Sequence, residues 1–314
     1  MSYYQQSKTH WKVSLVVIFI LLALKGLQGQ GCSDAGACSI GSLYPMDSLD
    51  QDPDGPHVKL SFDQNIGLGE KFTFISQTSL SVEHRPWKNF SYLVRVPYIV
   101  ASGNIGNANG IGDVLVSMIW RAFHVEGSEL GVLGGARLRS NKANLSFGGN
   151  PLPMAYQTSL GTYDIIAGIQ YIWESWDFYM AFQHPFGRNQ NEYLNDPAET
   201  DESKLYFESA WLKRGDDLAF RVRKGFELKN QRILQAGALA IYRLQESEII
   251  RNDKAVRINN SSGLTLNLYA TYSGRLIGKS TFQLTAAFPV IDRDYRADGL
   301  TRNFVINLTI SRLW

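Results

Sequence analysis

The chain has 314 residues, a formal net charge of +2 from 31 Lys+Arg against 29 Asp+Glu, and 2 cysteines. Balanced charge without a basic run gives no electrostatic reason for a nucleic-acid partner, and none is expected. No apolar run approaches the roughly 18 residues that a transmembrane helix needs, so a helical membrane span is not expected.

In chain order, Lys8 and Lys12 precede an apolar stretch, Val13 to Leu24, which breaks into Lys25 and a glycine-rich segment ending at Gly31. A basic flank, a short apolar core and small residues after it predict a cleaved secretory signal over residues 1–29. An uncleaved N-terminal anchor is the other reading, disfavoured because the run is well short of the roughly 20 residues that span a bilayer. Residues 30–56 are rich in Gly, Ser, Asp and Pro and do not alternate, which predicts loop. That segment is expected either to plug the domain that follows or to hang free in the periplasm. It carries both cysteines, Cys32 and Cys38. One small disulfide is the simplest reading in an oxidising compartment; a lipidated Cys32 and a two-thiol metal site are weaker alternatives.

From residue 57 onward one pattern recurs: segments of about 10 to 14 residues alternate apolar and polar positions and then meet a turn. Thirteen segments read this way, near 57–66, 70–83, 88–101, 112–124, 128–140, 161–174, 176–184, 203–213, 217–228, 232–246, 262–273, 278–289 and 301–314. In 88–101, Phe90, Tyr92, Val94, Val96, Tyr98 and Val100 share one face; Pro97, unable to donate to a ladder, predicts an irregularity near that strand's end. Soluble sandwich strands average about five or six residues, whereas membrane-crossing strands need about 9 to 11. Aromatic residues also gather near segment ends, at Trp87, Phe90, Trp120, Phe123, Trp173, Trp176, Trp211, Phe288 and Trp314, as in the girdles of outer-membrane barrels. The last segment ends the chain on Trp314 and resembles the C-terminal membrane-insertion signal of such barrels. The expected fold is therefore all-β: an antiparallel transmembrane β-barrel over residues 57–314 in a bacterial outer membrane.

Strand number is expected to lie between 12 and 14. Bacterial single-chain barrels have an even number, and long loops face outward while short turns face the periplasm. Counting loops from each terminus places the discrepancy between about 203 and 262. Alternation assigns Arg95, Asp113, Arg121, Arg137, Arg139, Asp164, Asp177, Glu208, Arg221, Arg223 and Glu227 to the lumen, where opposite charges can pair. Facing lipid, an arginine at mid-membrane would cost about 2–4 kcal/mol. Such a lining suits either a salt-bridge network that fills the barrel or a polar conduit that selects solutes.

Catalytic and cofactor motifs are not found: no Gly-x-Ser-x-Gly elbow, no phosphate-cradling loop before a helix, no His pair spaced for a metal. The glycines Gly103, Gly106, Gly110 and Gly112 lie between two strands with no helix behind them. His184, near Ser175 and Ser203, is the one candidate for an outer-wall hydrolase and reads more simply as an interfacial histidine. Neither a cofactor nor a metal nor enzymatic activity is expected.

Two stretches, Gly110 to Arg121 (GIGDVLVSMIWR) after Val96-Pro97-Tyr98, and Leu160 to Tyr171 (LGTYDIIAGIQY), resemble the barrels assigned to MetA-pathway phenol degradation, relatives of FadL-type transporters. The resemblance covers about residues 85–184 and implies a channel for small solutes, hydrophobic or aromatic ones among them. The segment before the barrel is much shorter than the N-terminal plug of FadL-type members, so the resemblance does not extend to a full hatch domain. The expected function is passage of an unidentified small solute, with a sealed, non-transporting anchor barrel as the alternative. Expected partners are outer-membrane lipid with lipopolysaccharide, the solute, and the barrel-assembly machinery.

Overall fold

The structure is a computed structural model and describes residues 55–299 and 303–314. The expected signal, the Cys32–Cys38 pair and nearly all of the 30–56 segment lie outside the described residues. The elements are β1 (His57–Leu68), β2 (Phe74–Trp87), β3 (Phe90–Gly103), β4 (Gly106–Ile111), β5 (Val114–Val125), β6 (Ser128–Leu138), β7 (Ser146–Phe147), β8 (Asn150–Pro151), β9 (Tyr163–Trp173) and β10 (Trp176–Phe186). They continue as β11 (Asp217–Leu228), β12 (Arg232–Arg243), β13 (Glu248–Arg251), β14 (Lys254–Arg257), β15 (Gly263–Arg275), β16 (Ser280–Ile291) and β17 (Phe304–Leu313).

Twelve crossings close into one antiparallel barrel, in the order β1, β2, β3, β5, β6, β9, β10, β11, β12, β15, β16, β17 and back to β1. Closure leaves no unpaired edge, which a bilayer requires because lipid cannot hydrogen-bond the backbone. The seam is continuous to the last residue: Trp314 and Val58 exchange backbone hydrogen bonds of 2.9 and 3.3 Å.

β4 and β5 make a single interrupted crossing. β3 pairs with β4 at Tyr98↔Ile111 and with β5 at Arg95↔Leu115, so Val96 and Pro97 oppose the three residues 112–114. The extra residue is a bulge, and Pro97 sits where no N–H is needed. Gly112 donates to the Pro97 carbonyl at 2.8 Å, and a Cβ there would stand 2.9 Å from the Pro97 and Ile99 side chains.

Two expectations are corrected. Residues 203–213 do not cross: the segment is extended and alternates, but it bonds to other loops. Ser209 N–H donates to the Tyr193 carbonyl, Trp211 N–H to Asn191 and Ile250 N–H to Ala210. Removing that false strand brings thirteen to twelve. Trp211, lying on this segment, is therefore outside the girdles.

Apart from the bulged β4 and from β9, where even-numbered residues such as Asp164, Ile166 and Gln170 point inward, odd-numbered residues of the crossings point inward and even-numbered ones outward, as the burial patterns record. Leu80, Met118, Ile169, Phe220 and Ile310 are among the exposed apolar residues of the outer wall. The turns at 88–89, 126–127, 174–175, 229–231 and 276–279 all lie at the end that also holds His57 and Trp314. Trp87, Phe90, Trp120, Trp173 and Trp176 ring that end, and Phe74, Tyr98, Tyr163, Phe186 and Tyr242 ring the other. The long connections 139–162, 187–216, 244–262 and 292–303 gather at the second end, the outer one by loop length.

Candidate functional site

The interior is divided lengthwise. On one side, under β5, β6, β9, β10 and β11, Leu115, Ile119, Leu133, Ile166, Tyr179, Ala181 and Ala219 pack into a closed apolar cluster. The other side is hollow: a cavity bounded chiefly by β1, β2, β12, β15, β16 and β17, with Arg95, Arg221 and Arg223 projecting from β3 and β11.

Charges in the interior are paired rather than scattered. Asp177 is the hub of the wall network: Arg223 reaches it at 2.5 Å, Arg221 at 3.2 Å, and Gln170 donates to it at 3.0 Å. Arg95 meets Asp63 at 3.3 Å, and Thr309 donates to the same carboxylate at 2.6 Å. Nearer the outer end, Arg214 bonds Asp164 at 2.6 Å, with Gln183 and Thr162 donating to that carboxylate as well. Such density of bonds is what a buried carboxylate requires, because removing a partner leaves a charge uncompensated at a cost of about 3–5 kcal/mol.

The other residues assigned to the lumen from alternation fall as follows. Arg121 pairs with Glu129 at 2.9 Å near the inner end. Arg137 is buried and stands opposite Asp164 across the β6–β9 ladder. Arg139 leaves the wall, donating to the Gly161 carbonyl at 3.3 Å with its guanidinium 4.9 Å from the Tyr163 ring centre. Asp113 lies in the bulge and accepts the N–H groups of Ser140 and Leu160, at 3.1 and 2.9 Å, tying loop 139–162 to the wall. Glu208 is on loop 187–216 rather than on a strand, where it pairs with Arg251. Glu227 is exposed beyond the inner rim. Trp314 is exposed at that rim, with the Arg312 guanidinium 4.3 Å from its ring centre.

Asp63 and Arg243, in segments not read for charge, and Asp217, at the start of the segment that supplied Arg221 and Arg223, escaped the sequence reading although they sit at odd strand positions. Arg214, Arg293 and Asp298 had no periodic signal at all, since they lie in loops.

Those loops form a cap over the outer mouth. Leu152, Ala155, Tyr156, Tyr193 and Tyr206 pack against Ile75, Ala101 and Ala108 of the wall. Beside them Met154, Leu160, Leu212, Ile249, Ile258 and Ala297 pack on Leu239 and Ile241. Tyr206 is a polar pivot, its hydroxyl 3.1 Å from Thr73 Oγ1 and 2.9 Å from the Tyr156 hydroxyl. Asn191 Nδ2 donates to the carbonyls of Ala143 and Leu152, both at 2.9 Å. Gly299 has φ +68°, and a Cβ there would stand 2.3 Å from the Met154 backbone, so loop 292–303 crosses loop 139–162 on glycine.

Two carboxylates hold the cap to the rim. Asp298, fully buried, is met by Arg243 at 2.8 Å and Arg293 at 3.3 Å, while Arg243 also bonds Asp217 at 2.8 Å. Burial alone would raise the Asp298 carboxyl, but Arg243, Arg293 and Arg214 together hold it well below the usual carboxylate range. Glu70, in the short connection between β1 and β2, accepts the Phe207 N–H at 2.8 Å. Burial pushes its carboxyl up to about 7, against the lowering by that bond and by Arg296 and Lys71.

No family model matches the chain, and no curated protein matches it. Among solved structures, it is similar to the NanC porin, with 11% identity, a TM-score of 0.45, and coverage of 81% of this chain and 98% of that one. It is similar to the KdgM porin at 7% identity and a TM-score of 0.42, covering 81% and 98% of the two chains. The translocator domain of the autotransporter NalP from Neisseria meningitidis gives 11%, 0.44, and 85% and 91%. The fold itself rests on the strand pairing of this chain. A closed barrel with an apolar exterior, aromatic rims and a polar interior is built for an outer membrane, and that is its location.

His184 has its Nδ1 2.6 Å from Asp216 Oδ1 at the outer end of β10. Ser175 lies in the turn at the opposite end of the same strand, and Ser203 lies in loop 187–216. The structure therefore brings His184 to a carboxylate and not to Ser175. Among the described residues no cluster of three or more His, Cys, Asp or Glu is placed to hold a metal.

Proposed function

We propose that this chain is an outer-membrane channel for a small polar solute, closed toward the outside by its own loops. The carrying observation is the hollow, polar side of the lumen between β1, β2, β12, β15, β16 and β17, which a barrel serving only as an anchor has no need to keep. What blocks the outer end is loops packed on the wall through apolar clusters and pinned at the rim by Asp298 and Glu70, a unit separate from the strand ladder that can open locally without unfolding the barrel. The resemblance of residues 85–184 to FadL-type barrels supports solute passage, while the amide, hydroxyl and charged lining favours polar over hydrophobic or aromatic solutes. In this reading the chain is not an enzyme, the barrel-assembly machinery inserts it by way of β17 and Trp314, and lipopolysaccharide surrounds its outer rim.

Planar-bilayer recording tests the reading. Wild-type protein is expected to show rare openings, and Asp298→Asn, which unpins loop 292–303, more frequent ones. Silence of both proteins, each shown to be folded and inserted by heat-modifiable migration, would establish a sealed barrel instead.

A further inference from the structure

Resting on the channel reading, we infer that the lumen holds a binding site for a neutral, polyhydroxylated solute of the sugar or sugar-alcohol class, formed by the inner face of β15, β16 and β17 together with β2. The inward side chains of these three strands along the cavity are Asn267, Tyr269 and Thr271, then Gln283, Thr285 and Ala287, then Val305, Asn307, Thr309 and Ser311. None is charged. The fixed charges along the cavity lie elsewhere: Lys59 and Asp63 on β1, Glu83 opposite Lys59 toward the inner end of β2, and Arg95, Arg221 and Arg223, each held by a carboxylate. A conduit selecting ions would place uncompensated charge on its wall. This wall instead offers groups that donate and accept at once, which is what adjacent hydroxyls on a carbon chain require.

Asn267 gives the site its position. It is 1% exposed, yet neither its amide oxygen nor its amide nitrogen has a partner among the described residues. A buried amide left unpaired is a cost to the fold and needs a reason. The backbone around it is irregular: the β15–β16 register shifts between Leu266 and Asn267, and Asn267 faces Pro289. Bulges of this kind re-aim a side chain. Four strands along the barrel, Gln77 on β2 bonds Ser79 through its nitrogen while its Oε1 has no partner among the described residues. Both residues sit near the outer ends of their strands, beneath the cap and bordering the same cavity. Two amides so placed, with Thr285 and Asn307 on the wall between, form a frame of neutral donors and acceptors at the point a solute reaches when the cap moves.

Proteoliposomes carrying the full chain test this, with glucose and ribitol as neutral probes and gluconate and glucosamine as charged ones of similar size. Asp298→Asn serves as background so that the cap does not limit entry, and KCl conductance is recorded on the same preparations. The neutral probes are expected to enter faster than both charged ones. Asn267→Leu should weaken glucose interruption of the ionic current about five- to tenfold, the effect of losing an amide's hydrogen bonds to a ligand. It should leave KCl conductance within about twofold, since no charge is removed. Resistance to urea should be kept or raised, because an unpaired buried amide is replaced by an apolar group. Absence of KCl conductance overturns the channel reading on which the site depends. Conductance with equal entry of all four probes, or loss of urea resistance in Asn267→Leu, means that water alone or the fold uses this amide, and overturns the site.

Discussion

Leu284 and Gln283 are neighbours on β16 and point to opposite sides of the wall: Leu284 is 44% exposed on the exterior, beside Tyr272 and Leu308, while Gln283 borders the lumen cavity. The same substitution at each position is therefore a direct test of the fold. Leu284→Arg places a guanidinium in lipid within two residues of the middle of a 12-residue strand. Such a charge near mid-membrane costs about 2–4 kcal/mol. At about 1.36 kcal/mol per factor of ten, that lowers the ratio of folded to unfolded protein by about 30- to 900-fold. Gln283→Arg places the same group in a polar, hollow space, where a shift within about 0.5 kcal/mol is expected, as for a solvent-facing site. The assay is urea titration of folding into large unilamellar vesicles, read by tryptophan fluorescence and by heat-modifiable migration on gels. Leu284→Arg should shift the midpoint strongly toward lower urea and Gln283→Arg hardly at all. Equal shifts, or a larger one for Gln283→Arg, would mean that the faces of this strand are reversed and the polar lumen does not exist.

Three further outcomes follow from the cap. The Glu70 carboxyl stands at about 7 when the cap is closed, against an ordinary 4.5 in water, so closure binds a proton. Its contribution is fully present below about pH 4.5 and fades as pH rises through 7, by about 3 kcal/mol in all; the protection factors of residues 203–213, corrected for intrinsic base-catalysed exchange, should fall from pH 5 to 8, and Glu70→Gln should remove that fall. Asp298→Asn leaves Arg293 without its carboxylate and Arg243 with Asp217 alone, and should weaken closure by about 3–5 kcal/mol. Limited proteolysis should then cut loop 292–303 while the barrel stays heat-modifiable; uncut loops would show that Asp298 does not hold the cap. Tyr206→Phe removes one hydroxyl shared by Thr73 and Tyr156 and should loosen loop 187–216 by about 1–3 kcal/mol, visible as faster amide exchange there and unchanged exchange in β5 and β6.

Alternation with period two determined most of the wall from the sequence. A strand whose two faces meet lipid and a polar interior has to alternate, so Phe90 to Val100 or Phe304 to Trp314 can be assigned face by face without coordinates. The same logic places Arg95, Asp177, Arg221 and Arg223 inward, since lipid would penalise any of them. What alternation cannot decide is hydrogen-bond partnership. Residues 203–213 alternate because Tyr206 and Leu212 pack inward under the cap, but their backbone bonds go to Asn191, Tyr193 and Ile250 of other loops. Only the tertiary structure separates that arrangement from a crossing. The pinning of the cap is equally invisible in the sequence, because Asp298, Arg293 and Arg214 sit in aperiodic loops and meet Arg243 and Asp164 across separations set by barrel closure. The cavity is tertiary in the same sense: each of its walls is legible as a polar face, but whether opposing faces touch or leave a hollow depends on strand number, stagger and the side chains that the far wall contributes.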